Sequence, residues 1–83
     1  MVTIHRDGGF RVVIYPGDRE HGPPHVHVFN ADGEVKVLIG DAETPPSLLL
    51  VLGMRMPDAK RAVRIVEERQ ETFLARWREY HDA

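Results

Sequence analysis

His25-Val26-His27-Val28-Phe29-Asn30-Ala31-Asp32-Gly33-Glu34-Val35-Lys36-Val37-Leu38-Ile39-Gly40 is the stretch whose reading decides the fold. Two runs with apolar alternation flank Asp32-Gly33, a dipeptide that strongly marks the turn of a β-hairpin. The pattern predicts strands over residues 25–30 and 34–40. With Asp32 and Gly33 as the two central turn residues, Val28 falls opposite Val37, Val26 opposite Ile39, His27 opposite Leu38 and Phe29 opposite Lys36. Val26 and Val28 then share a face with Val35, Val37 and Ile39, which reads as core. His25, His27, Phe29, Lys36 and Leu38 line the other face, a mixed surface expected to be open to water or to a partner.

Toward the N-terminus the hairpin is preceded by Asp18-Arg19-Glu20-His21-Gly22-Pro23-Pro24, a loop rich in titratable groups. Pro24 keeps Pro23 out of the helical region, so the loop is expected to enter the strand stiff and extended. Before it, residues 1–6 and 10–15 alternate as two further strands joined by a turn at Asp7-Gly8-Gly9, and Pro16-Gly17-Asp18 ends the second.

Beyond the hairpin, residues 41–47 with Pro45-Pro46 read as a loop. Leu48 to Leu52 reads as a fifth strand buried on both sides, although five apolar residues also suit a piece of helix. Pro57 suits the first helical position and Asp58 the positive helix end. A long helix is expected from there to about Tyr80, with Ala59, Ala62, Val63, Val66, Phe73, Trp77 and Tyr80 on one stripe and Leu74 beside it. Gln70 lies within that stripe and needs a buried partner or a wet gap. The whole is an α+β arrangement: an antiparallel sheet of four to five short strands with one long C-terminal helix packed across one face.

A chain of 83 residues leaves room for one domain, residues 1–83, with a modest core. Its net charge of −2 gives no general attraction to nucleic acid or membrane. The absence of cysteine removes disulfides, thiolate metal sites and a cysteine nucleophile, and fits a cytoplasmic protein. The longest apolar run, Leu48 to Leu52, is far short of a membrane span, and the N-terminus lacks the apolar core of a signal peptide.

Three chemistries fit the histidine strand. His25 and His27, two apart on one strand face, have the spacing by which two imidazoles share a metal ion. Asp18 is a candidate third ligand, as are Glu20, His21 and His5, and such nitrogen and oxygen donors suit divalent zinc, nickel or iron. Alternatively His25 and His27 serve as general acid and base, with Lys36 or an arginine of the helix start steadying charge on a phosphate. A histidine-triad hydrolase is disfavoured because Phe29 stands where a third alternating histidine belongs, but a metal-independent ribonuclease needs only proton-transfer groups and cations. The third reading is non-catalytic. Asp18, His21, Pro23, Pro24 and Phe29, with the basic Arg55, Arg61 and Arg64, form a surface for a protein partner, RNA or a second copy of the chain. Cations at a helix start also bind phosphate or carboxylate. As a purely structural alternative, Arg64 pairs with Glu67 or Glu68 in a solvated ladder.

Phe10-Arg11-Val12-Val13-Ile14-Tyr15, then Asp18 with His21, then Pro23-Pro24-His25-Val26-His27-Val28, resembles the start of the small bacterial family called domain of unknown function 4160. Ala62-Val63-Arg64-Ile65-Val66 with Leu74, Trp77 and His81 is similar to that family's closing helix. Arg19, Glu20 and Gly22 depart from its compact loop by lengthening it, so a role is carried over more safely to His25 and His27 than to His21. The resemblance implies the toxin-like half of a two-gene toxin-antitoxin-type module. Its implied partner is a small cognate, antitoxin-like protein of the domain of unknown function 2442 type. A mechanism is not implied.

Overall fold

A computed structural model describes residues 1–16 and 22–81. Five strands run in the sequence order of the sheet, β1 (Val2–Asp7), β2 (Phe10–Ile14), β3 (His25–Phe29), β4 (Glu34–Leu38) and β5 (Ser47–Leu52), each antiparallel to the next. Two helices follow, α1 (Met56–Glu68) and α2 (Gln70–His81). The α+β class and the antiparallel sheet are as the alternation predicts.

The first turn is a direct product of composition. Gly8 and Gly9 both have positive φ, 52° and 86°, and they bring Asp7 opposite Phe10. This two-residue geometry matches the right-handed twist of the flanking strands, and only residues without a Cβ penalty adopt it freely.

The central hairpin forms in a different register from the one the sequence suggests. Val28 pairs with Val35, Val26 with Val37, His27 with Lys36 and Phe29 with Glu34. Ala31 and Asp32 are the central turn residues, because Asn30 N donates to Gly33 O at 3.0 Å. The Asn30 side-chain oxygen also accepts from the backbone N–H groups of Asp32 (2.9 Å) and Gly33 (3.0 Å). An asparagine able to close the turn with its own side chain moves the turn one residue earlier. The resulting shift is two residues, so every side chain keeps the face expected of it. Gly33 itself does not have positive φ. It is required because a Cβ there would lie 2.1 Å from the Leu52 carbonyl oxygen of β5.

One face of the sheet forms the core. Phe10, Val12, Ile14, Val26, Val28, Val35, Val37 and Ile39 cluster with Ala59, Ala62, Ile65, Val66, Phe73 and Trp77 of the helices. Burying each such large side chain stabilises by about 1.5–3 kcal/mol. Ile65 belongs to this cluster although the expected stripe leaves it out, so the buried face of α1 is wider than the narrow stripe.

The C-terminal helix is broken at Arg69, whose φ of −126° and ψ of 26° leave the helical region. The break has two anchors. Gln70 Nε2 donates to the backbone carbonyls of Ile39 (2.9 Å) and Thr44 (3.0 Å), while Arg69 Nε donates to His5 Nε2 (3.0 Å). A single straight helix is therefore replaced by two, the second restarting with Phe73 N donating to Arg69 O at 2.9 Å. The partner that Gln70 needs inside the apolar stripe is this pair of carbonyls.

Leu48 to Leu52 is a strand, but not a doubly buried one. Leu48 and Val51 pack against the core, whereas Leu49, Leu50 and Leu52 are 54%, 49% and 50% exposed. The physical reason is position: β5 is the last strand of the sheet, paired only with β4 and bulged at Leu49. An apolar run is buried on both faces only where both faces are covered.

Candidate functional site

The register places the side chains of the face opposite the core cluster in three rows. Arg6, Arg11, Phe29 and Glu34 make the first, Thr3, Val13, His27, Lys36 and Leu50 the second, and His25, Leu38 and Ser47 the third. Val13 is fully buried yet lies outside the helix-side core cluster, which marks this face as partly closed.

His25 is a correction to the open face expected from alternation. It is only 4% exposed. Its Nδ1 lies 3.0 Å from the Pro23 carbonyl oxygen, and its ring centroid is 5.4 Å from that of His27 and 6.4 Å from that of Trp77 on α2. The strand alternation assigns the face correctly, but the reach of a tryptophan from another element is not written in the strand. His27 is also largely covered, with 13% of its side chain exposed. Its Nδ1 is 3.4 Å from Glu34 Oε2, and Tyr15 meets its ring edge-on at 4.6 Å between centroids.

Lys36 stands directly across from His27, not from Phe29, so the observed register draws the candidate cation nearer to the histidines than the expected one. Phe29 faces Glu34 and lies beneath the Arg11 guanidinium, 5.4 Å from ring centroid to Cζ. A hollow of about 330 Å³ is bordered by Arg6, Gly9, Arg11, Phe29 and Asn30. Arg6 and Arg11 are site residues that strand-by-strand reading passes over. The signal was present, since a two-residue turn at Gly8-Gly9 by itself sets Arg6 opposite Arg11.

Pro23 and Pro24 are held by the end of the hairpin, where the Pro24 carbonyl accepts from Ile39 N at 2.9 Å. Together with Leu38, Pro45 and Ser47 they border a second hollow of about 240 Å³. Asp18, Glu20 and His21 lie outside the described residues. His5 is removed from the candidate metal ligands: it belongs to the helix side of the sheet, against Arg69 and 5.7 Å from the Phe73 ring. No cluster of three or more metal-binding side chains occurs among the described residues.

Arg55, Arg61 and Arg64 are exposed on or beside α1, on the side of the sheet away from His27. Arg61 lies over the core-side ring of Phe10 at 5.5 Å, and with Arg64, Asp7 and Glu68 it borders a hollow of about 170 Å³. These arginines and the histidine strand therefore do not form one site. Among the described residues the helical ion pair is Arg76 with Glu79 at 3.3 Å, rather than the expected ladder from Arg64. A hydrogen bond to the Tyr80 hydroxyl holds the Arg76 guanidinium above its ordinary pKa, so it stays charged.

Residues 9–78 match the family described as Domain of unknown function (DUF4160). The chain belongs to that family. The match takes in all of β2, β3, β4, β5 and α1 and most of α2. No curated protein and no solved structure matches the chain. The family description names no activity, and the site must be read from its own chemistry. No helix among the described residues is long and apolar enough to cross a membrane.

Proposed function

We propose that this protein is the toxin-like half of a bacterial two-component toxin-antitoxin-type module, working as a partner-binding protein in the cytoplasm. The observation that supports this best is the outer strand. β5 reads Ser-Leu-Leu-Leu-Val-Leu, carries no charge, has one edge unpaired among the described residues and exposes about half of three leucines. Native proteins blunt such edges with charges, proline or cover, and an apolar edge left uncovered in the isolated chain is a docking surface or an aggregation hazard. The occupant in this reading is the small cognate protein of the domain of unknown function 2442 type, which neutralises the toxin-like half by covering that strand.

Expression alone and together with the neighbouring small protein tests the reading. A growth defect on expression alone, relieved on co-expression, with both chains eluting as one complex, is the expected result. Absence of both the defect and the complex overturns it. A chain that elutes as a dimer by itself and ignores the small protein assigns the edge to a second copy instead.

A histidine-dependent nuclease is the second reading, favoured by one observation. A carboxylate beside an imidazole, as Glu34 is beside His27, orients the ring for proton transfer, and Lys36 stands opposite to meet an anionic phosphate. His27→Ala separates the two readings, because an enzyme loses toxicity while keeping its partner, whereas a docking module keeps both.

A further inference from the structure

Arg6 and Arg11 face each other directly across β1 and β2 on the face opposite the core cluster. Like charges in directly opposed cross-strand positions oppose the pairing. The neighbouring acid on this row, Glu34, is turned to His27 at 3.4 Å. Beside the two guanidiniums lies Phe29, half-buried, with Arg11 over its ring and the 330 Å³ hollow between them. Lys36 follows in the next row of the same face. A pair of cations held together at a cost, next to a flat aromatic layer, asks for a ligand with both negative charge and a π-face.

We infer that this corner of the sheet binds single-stranded nucleic acid, with backbone phosphates on Arg6 and Arg11 and a base stacked on the Arg11–Phe29 layer. The chemistry follows from the two halves of the site. Guanidinium groups hold phosphate through paired N–H donors, and bases stack on aromatic rings and on guanidinium planes. An acidic protein segment would use the arginines but leave the aromatic layer unused. A duplex hides its base faces, so a single strand is the form that fits. This surface is distinct from the leucine edge of β5, and the inference does not depend on the partner proposed there.

Fluorescence anisotropy with labelled ten-nucleotide oligouridylate and oligothymidylate, at low and moderate salt, tests it on the full chain. Binding of either supports the inference, and the ratio of the two tells whether RNA or DNA is preferred. Arg6→Gln with Arg11→Gln is expected to weaken binding at least tenfold and to lower the salt slope by about 1.4, since each lost phosphate contact on a single strand removes about 0.7. Phe29→Leu is expected to weaken binding about five- to tenfold with the salt slope unchanged, as a stacking loss does. The arginine variant should unfold at the same or a higher temperature than the parent, because it relieves the opposed charges. No binding of either oligonucleotide overturns the inference. So does binding that survives the Arg6 and Arg11 substitutions, or that is lost instead when Arg55, Arg61 and Arg64 on the opposite side become glutamine.

Discussion

The two histidines of β3 are chemically identical and two residues apart, but they answer differently to substitution. His25→Ala deletes a ring that is 4% exposed and lies against Trp77 and His27. It is expected to cost about 2–3 kcal/mol, combining a cavity with a lost hydrogen bond. His27→Ala removes a ring that is 13% exposed, meets Tyr15 edge-on and lies 3.4 Å from Glu34, for which a smaller loss of about 1–2 kcal/mol is expected. Urea denaturation of the two variants checks the ordering, and equal small losses would contradict the burial of His25. Alternation along the strand was enough to read which face each ring occupies. It could not show how far that face is closed, because Trp77, whose ring lies 6.4 Å from that of His25, is fifty-two residues further on.

At the scale of elements, the glycines and Gln70 separate local from long-range control. Gly33→Ala forces a Cβ to within 2.1 Å of the Leu52 carbonyl, and since backbone cannot yield as a flexible side chain does, a loss of about 3 kcal/mol or more is expected. Gly9→Ala meets no atom within 4 Å and suffers only from its φ of 86°, so about 1–2 kcal/mol is expected. Thermal melts of both variants test the difference. The Gly8-Gly9 turn was legible because its cause is local. Gly33 was read as a turn glycine for the right hairpin but the wrong reason, since its neighbour across space is β5.

Gln70 shows the same division within the helix. Gln70→Ala leaves the Ile39 carbonyl without its donor and loosens the α1–α2 junction, with an expected loss of about 1–3 kcal/mol. Amide hydrogen exchange should quicken first around Gln70 to Phe73. Unchanged exchange there would mean that the junction does not depend on this side chain. Periodicity marked Gln70 as a polar residue in an apolar stripe, which is a real signal. It could not supply the partners, which come from the loop after β4.

At the scale of the molecule, the consequence of a sequential five-strand meander is that its two outer strands each have an edge unpaired among the described residues, and β5 is the apolar one. Leu50→Lys places a charge on a residue already 49% exposed, so folding stability should stay within about 0.5 kcal/mol. Size-exclusion chromatography with light scattering should nevertheless show loss of the complex with the cognate protein. A retained complex would move the docking surface elsewhere. The second basic surface, at Arg6 and Arg11 on β1 and β2, sits at the other end of the sheet order from β5, so the proposed strand partner and the inferred nucleic acid would have separate ground.

The alternation of β2 to β4, the glycine turn, the double proline and the 3.6-residue period of the C-terminal segment are short-range properties, and they determined the α+β class, the face of every residue in those three strands and the family likeness. In β1 a bulge between Thr3 and His5 turns His5 to the helix side, away from the face it shares with Thr3 by simple alternation. The hairpin register turned on the local side chain of Asn30, whereas edge position, the closure of the histidine face and the helix break at Arg69 were decided only in three dimensions. Each depends on a group distant in the chain: the Leu52 carbonyl beside Gly33, Trp77 beside His25, and the Ile39 and Thr44 carbonyls beside Gln70. A periodic pattern says which way a side chain points, and only the packed structure says what is waiting there.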